Sequence, residues 1–316
     1  MTTVNHLINP TGTSYKRALR EQQKNTVETT KRLLQKLKQQ IKDNNINAAD
    51  TYDEYLSSLL SVHKASSERI DWASFSLAPH PKLPVKESKK QFEAEYNYQT
   101  YEPTFLDYIT LQHRKKMGDL LDKIELAKHA DDLIYNAILK EFRNEAQDWK
   151  KIQTITNGIR ESEVAAYQKA IDFFDPFAAI SLPGIHVICE TFNDHIIVNL
   201  HLNAAKVIPD YVINRTADGG LSNTLLDVSD YKRLLHDYAC GCALRSAREI
   251  FALLPVNFVS VNIVAELFNS SIAETQSKTI LSIKFDQENL RKLDFNTMNC
   301  QALLAVFSHE SIIFSW

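Results

Sequence analysis

Glycine is scarce: 7 residues in 316, about 2%, where soluble proteins usually carry roughly 7%. Little is left from which to build Gly-rich phosphate loops or turn-dense β architecture, and long helices are favoured. The chain has no G-x-x-x-x-G-K-[ST], G-x-G-x-x-G, H-E-x-x-H or G-x-S-x-G. Those absences weigh against the common nucleotide-dependent and hydrolytic enzymes. A nuclease-like acidic residue followed by Glu-x-Lys on a hairpin is missing too, since neither flank of Asp194 supplies the Glu-x-Lys. Four cysteines (Cys189, Cys240, Cys242, Cys300) are too sparse for a disulfide scaffold, so reduced thiols and a cytoplasmic location are expected. The most apolar stretch, Ile250–Phe268, is interrupted by Pro255, Asn257, Ser260, Asn262 and Glu266. It falls short of the ~20 apolar residues of a membrane span, and Met1–Pro10 lacks the basic and apolar regions of a secretory leader.

What is present fits a globular protein of roughly two domains, with 44% hydrophobic and 24% charged residues. A net charge of −3 implies no partner by itself, but its distribution is uneven. Between Lys16 and Lys42 stand nine basic residues and two acidic ones, leaving that segment at +7 and the remainder at −10.

Thr11 or Thr13 is placed to cap a helix over about 14–42, with Val27, Leu34, Leu37 and Ile41 at helical spacing and Thr30 in the missing slot. Asp43-Asn44-Asn45 marks a turn. A second helix over about 48–65 then makes a helical hairpin, 14–65. Three prolines in Ala78–Pro84 forbid helix and predict an extended linker over 78–85. Beyond it, long helices are expected over 87–157. Met117, Leu121, Ile124, Ala127, Ile134, Ile138, Phe142, Ala146, Trp149 and Ile152 step by three and four, with Asp131 in the polar slot. Asn157-Gly158 is the expected stop. Residues 1–157 are thus predicted to form an elongated, coiled-coil-like helical module.

Residues 158–316 read differently. A short helix over about 161–174 precedes two alternating segments, 184–192 and 195–202, about the turn Asn193-Asp194. Pairing about that turn sets Ile185 opposite Leu202, Val187 opposite Leu200 and Cys189 opposite Val198, so one face is apolar. A helix over 230–254, strands over 257–265 and 279–285, a short helix capped by Asp286, and a last helix over 300–307 follow. The expected class is α+β, a ββαββα-type domain with a mostly antiparallel sheet.

Several residues are candidates for chemistry. The hairpin register puts His186 opposite His201 on the outward face with Glu190 on the same side, a set that could share a metal or act as catalysts. Outward polar positions on a strand are the plainer account. His236 and Cys240, at i and i+4, could form a thiolate–imidazole pair. Ala239–Ala243 also reads as a small-residue seam where a helix lies close to its neighbour, and no second cysteine pair exists for a structural zinc. Arg245 and Glu249 suit an i,i+4 ion pair, and Arg248 could meet a carboxylate or phosphate. Lys31, Arg32, Lys36 and Lys38 could follow a nucleic-acid backbone or an acidic partner, although no aromatic residues interleave them.

The segments His236–Val264 ("HDYACGCALRSAREIFALLPVNFVSVNIV") and Lys278–Phe295 ("KTILSIKFDQENLRKLDF") resemble a family of bacterial proteins of unknown function. Members often carry a small Gly-Ser-rich N-terminal β domain, and "NPTGTSYKR" (Asn9–Arg17) is similar to the end of that domain. The match is strongest over Leu244–Pro255 and extends over about 71–295. It implies a bacterial cytoplasmic origin and an α/β-type C-terminal domain, and brings no catalytic residue with it. The expected function is a non-enzymatic interaction or scaffold protein of a bacterial cytoplasmic assembly, self-associating through its helices and without a metal or cofactor. The alternatives are a nucleic-acid-associated component using the basic helix 16–42, and a metal- or thiol-dependent enzyme with its site on the C-terminal domain.

Overall fold

The computed structural model describes residues 12–109, 112–269, 274–296 and 299–311. Helices dominate the first half: α1 (Gly12–Lys42), α2 (Ala48–Leu60), α3 (Trp72–Ser76), α4 (Lys89–Gln99), α5 (Phe105–Ile109), α6 (Gln112–Arg160) and α7 (Val164–Phe174). Strands β1 (Ile185–Thr191) and β2 (His195–Asn203) follow, then a single turn α8 (Ala204–Val207) and strands β3 (Tyr211–Arg215) and β4 (Leu221–Leu225). The 26-residue α9 (Val228–Leu253) leads to β5 (Phe258–Asn269), β6 (Glu274–Asp286), α10 (Gln287–Arg291), α11 (Cys300–Leu304) and β7 (His309–Ser311). Thr11, one of the two expected caps of α1, lies outside the described residues.

The fold is mixed helix and sheet. Its main sheet has the order β1-β2-β5-β6-β7, antiparallel throughout except for the parallel β2–β5 pair. The β1–β2 register is the expected one, with Ile185 opposite Leu202 and Cys189 opposite Val198. In that register the two apolar alternations share one buried face, whereas a one-residue slip would set the apolar positions of one strand against the polar positions of the other. Parallel pairing of β2 with β5 requires a crossover, and α9 lies in it. Against the expected ββαββα order, the chain adds the β3–β4 ribbon before α9 and the short edge strand β7 at the end. The ribbon turns through Gly219 at φ +85°, a left-handed position that favours glycine.

The chain divides into two compact units. One is Leu77–Gln153; the other combines Ser14–Ser76 with Thr154 onward. This replaces the expected division at 157: the helical hairpin belongs with the α+β half. The narrow stripe of α1 cannot bury enough apolar area alone, and it sinks into a larger core through Leu19, Val27 and Leu37. Thr30 and Ser58 hydroxyls meet at 2.7 Å between α1 and α2, and the buried Tyr55 hydroxyl donates to Val207 O at 2.7 Å. Ile70 N and the Trp72 indole donate to Ala252 O and Leu253 O, both at 2.8 Å, and fasten the chain after α2 to the end of α9.

The boundary at 153/154 falls inside α6, whose 49 residues continue past Asn157. Gly158 does not stop the helix: a Cβ there would lie 2.5 Å from Ala166 Cβ, so its role is to let α7 approach. In the Leu77–Gln153 unit the proline linker and α4 run back along α6. Trp149 Nε1 donates to Ala78 O at 2.9 Å, Lys86 pairs with Asp132 at 2.5 Å, and Gln91 N donates to the buried Asp131 carboxylate at 2.9 Å. Lys116 closes the far end on Asp107 at 2.5 Å. Among the described residues of this unit only Asp107, Asp131 and Ile152 are buried.

Candidate functional site

Helix α9 positions most of the residues of interest. Asp227 caps it by accepting from Ser229 N at 2.9 Å. The small residues Ala239–Ala243 then let a neighbouring loop come close: a Cβ on Gly241 would lie 2.8 Å from Val62 Cγ1 and 3.8 Å from His63 Nδ1. His63 Nδ1 in turn stands 3.0 Å from Cys300 Sγ, and His236 Nδ1 3.6 Å from Cys240 Sγ. Two thiol–imidazole contacts therefore flank one close-packed point. Burial holds these thiols protonated, pushing Cys242 and Cys300 up to about 12 and Cys240 higher, with Cys300 and Asp237 adding repulsion at Cys240. His63 is pushed down from its ordinary value, first by burial and then by the charges of Lys64 and Arg248. A protonated thiol is a poor nucleophile, and burial favours that form at all three cysteines. Among the described residues, no group of three or more His, Cys, Asp or Glu is placed to hold a metal ion.

One turn further along, Arg245 and Glu249 form the expected ion pair, Nε to Oε1 at 2.7 Å, with side chains only 5% and 2% exposed. Glu249 Oε1 also accepts from Ser67 N at 3.0 Å, tying the loop after α2 to the helix. Arg248 points the other way. Its guanidinium donates to His63 O and, at 2.6 Å, to Ser66 Oγ, and lies 3.8 Å above the Phe295 ring. It lines an open pocket of about 220 Å³ together with Arg69, Arg291, Ser67 and Gln287. Burial, then the Arg245 charge, holds Arg248 down at about 10.

The other expected site residues are dispersed. His186 and His201 do face each other, ring centres 6.4 Å apart, on the outward face of the sheet. Glu190 instead joins a polar ladder across four strands. Asn199 Nδ2 donates to Glu190 Oε1 at 3.2 Å, Asn262 Nδ2 to Asn199 Oδ1 at 2.8 Å, and Ser282 Oγ to Asn262 Oδ1 at 2.7 Å. That network gives Glu190, Asn199, Asn262 and Ser282 partners within the sheet, and His186 and His201 lie outside it. On α1, Arg32 pairs with Glu28 at 3.2 Å, Lys31 is half-buried, and Lys36 and Lys38 are exposed. Nearer its start the basic residues are structural: Lys16 sits 3.4 Å above the Phe173 ring, and Arg20 donates to Phe173 O at 3.4 Å.

Sequence reasoning missed His63, Cys300, Arg69 and Arg291. The small residues around Gly241 signal that something approaches α9 closely, but not which segment. No family model, curated protein or solved structure matches this chain. No helix among the described residues is long and apolar enough to cross a membrane.

Proposed function

We propose that this protein is a non-enzymatic interaction protein of a bacterial cytoplasmic assembly, self-associating through a coiled-coil-like face of its Leu77–Gln153 unit. The observation that carries the reading is the near absence of buried residues among those described in that unit, despite the apolar stripe of α6. Two antiparallel layers of helix and strap leave Leu126 70% and Leu133 58% exposed. With Ala130 and Ala137 these make a seam at steps of four, three and four, alternating large and small side chains. The occupant that fits is a second copy running antiparallel, which sets each leucine against an alanine. Charge favours the same orientation: Asp119, Asp122, Lys123 and Glu125 before the seam are net −2, while Lys140, Glu141 and Arg143 after it are net +1. Light scattering on the purified full chain is expected to give a mass of two protomers, falling to one in the variant Leu126→Glu/Leu133→Glu. A monomeric wild type, or a variant that stays dimeric, would sink the proposal.

A second reading keeps a nucleic-acid role for α1, favoured by the exposure of Arg32, Lys36 and Lys38. It requires binding to a mixed-sequence duplex that falls steeply with salt and is lost when those three residues become Gln. Salt-independent or absent binding removes it.

A further inference from the structure

We propose that the pocket between the loop after α2, the C-terminal half of α9 and α10 is a binding site for the phosphate group of a small molecule. Three arginines, Arg69, Arg248 and Arg291, are among its lining residues, and no lining residue is acidic. Like charges gathered without a counter-charge repel, and a fold normally separates or pairs them. None of these three arginines forms an ion pair among the described residues. Arg69 and Arg291 are exposed and carry no hydrogen bond or ion pair among the described residues. The nearest buried carboxylate, Glu249, is already committed to Arg245 and to Ser67 N.

Arg248 is the fixed member. Its bonds to His63 O and Ser66 Oγ and its stacking on Phe295 hold the guanidinium in place before any ligand arrives. Burial first, and then the Arg245 charge, lowers the proton affinity of that group, while the Glu249 carboxylate opposes the shift. An anion in the pocket would add a counter-charge. The Ser67 hydroxyl oxygen lies buried at the same wall with no hydrogen-bond partner among the described residues, and Gln287 offers a further amide.

The number of donors points to phosphate rather than carboxylate. One guanidinium satisfies a carboxylate in a two-pronged contact, whereas a phosphate has oxygens enough to engage several guanidiniums and a hydroxyl together. At about 220 Å³ the pocket is smaller than the ~300–1,000 Å³ typical of sites that enclose a drug-sized ligand. It would hold the phosphate and leave the rest of a larger molecule at its open mouth.

Isothermal titration calorimetry on the full chain, at constant ionic strength set with NaCl, tests this with inorganic phosphate, pyrophosphate and glycerol phosphate as probes. Saturable one-to-one binding of at least one probe is expected, weakened tenfold or more in Arg69→Gln/Arg291→Gln. Tightest binding of inorganic phosphate or pyrophosphate would identify a free anion, and tightest binding of glycerol phosphate a phosphomonoester. Both substituted side chains are exposed and unpaired, so the variant keeps the fold, which far-ultraviolet circular dichroism verifies. A thermal melt gives an independent readout: the best-binding probe should raise the wild-type midpoint and leave that of the variant unmoved. No saturable heat with any of the three probes, or equal binding and equal midpoint shifts in both proteins, overturns the proposal.

Discussion

His63 is a buried imidazole with the Cys300 sulfur 3.0 Å from Nδ1 and no partner for Nε2 among the described residues. Its proton affinity in the folded chain lies below the ordinary 6.5, because burial and the Lys64 and Arg248 charges disfavour the cation. As pH falls through 6.5 the unfolded chain takes up a proton that the folded chain refuses, so stability is full above that pH and declines below it. The decline ends once the folded-state value is passed and both states are protonated. Urea midpoints measured from pH 8 down to pH 5 should therefore fall in the wild type and fall less in His63→Gln. Burial also governs the thiols. Cys240, Cys242 and Cys300 should resist alkylation by iodoacetamide at pH 8 in the native protein and react once it is unfolded in urea, because their protonated sulfurs are both shielded and poor nucleophiles.

Among the elements, α9 is the one whose environment is most demanding, and glycine substitutions separate its needs from those of α6. Replacing Gly by Ala in a helix interior ordinarily gains about 0.5–1 kcal/mol through backbone entropy. A Cβ added at Gly118 in α6 would meet nothing within 4 Å, so Gly118→Ala should stabilise by about that amount. A Cβ added at Gly241 in α9 would lie 2.8 Å from Val62 Cγ1, so accommodating a methyl there forces α9 and the loop after α2 to shift apart. Gly241→Ala should therefore cost about 1–3 kcal/mol, the usual range for overpacking, with its sign opposite to that at Gly118. Denaturant midpoints followed by circular dichroism distinguish the two. Tyr55→Phe should likewise cost about 1–3 kcal/mol by orphaning the buried Val207 carbonyl, and a thermal melt reports it.

The two units differ in how much core each possesses, and that difference sets how the whole molecule unfolds. Among the described residues, the unit joining Ser14–Ser76 to Thr154 onward contains nearly all the buried apolar ones, whereas Leu77–Gln153 holds only Ile152. A helical unit without a core draws its stability from whatever covers it, and stability supplied by association rises with protein concentration. Thermal melts followed at 222 nm should show two transitions, the first moving to higher temperature as the protein is concentrated. A single transition independent of concentration would mean that Leu77–Gln153 does not depend on a second copy.

The sequence by itself determined the main helices, the proline strap, the starts of α9 and α10 within a few residues, and the β1–β2 register, because each rests on periodicity or on a local cap that needs no distant partner. It also made the Arg245–Glu249 pair legible, since i,i+4 neighbours on a helix meet wherever that helix packs. The β3–β4 ribbon escaped because its strands are short and largely solvated, and the parallel β2–β5 pairing because it joins segments separated by α9. Only the tertiary structure decided that α1 and α2 pack with the sheet-bearing half, since a narrow apolar stripe specifies that it must be covered but not by what. Only tertiary structure gathered Arg69, Arg248 and Arg291 around one pocket. Those three come from segments far apart in the chain, and their convergence follows from the fold's long-range packing rather than from any spacing along the sequence.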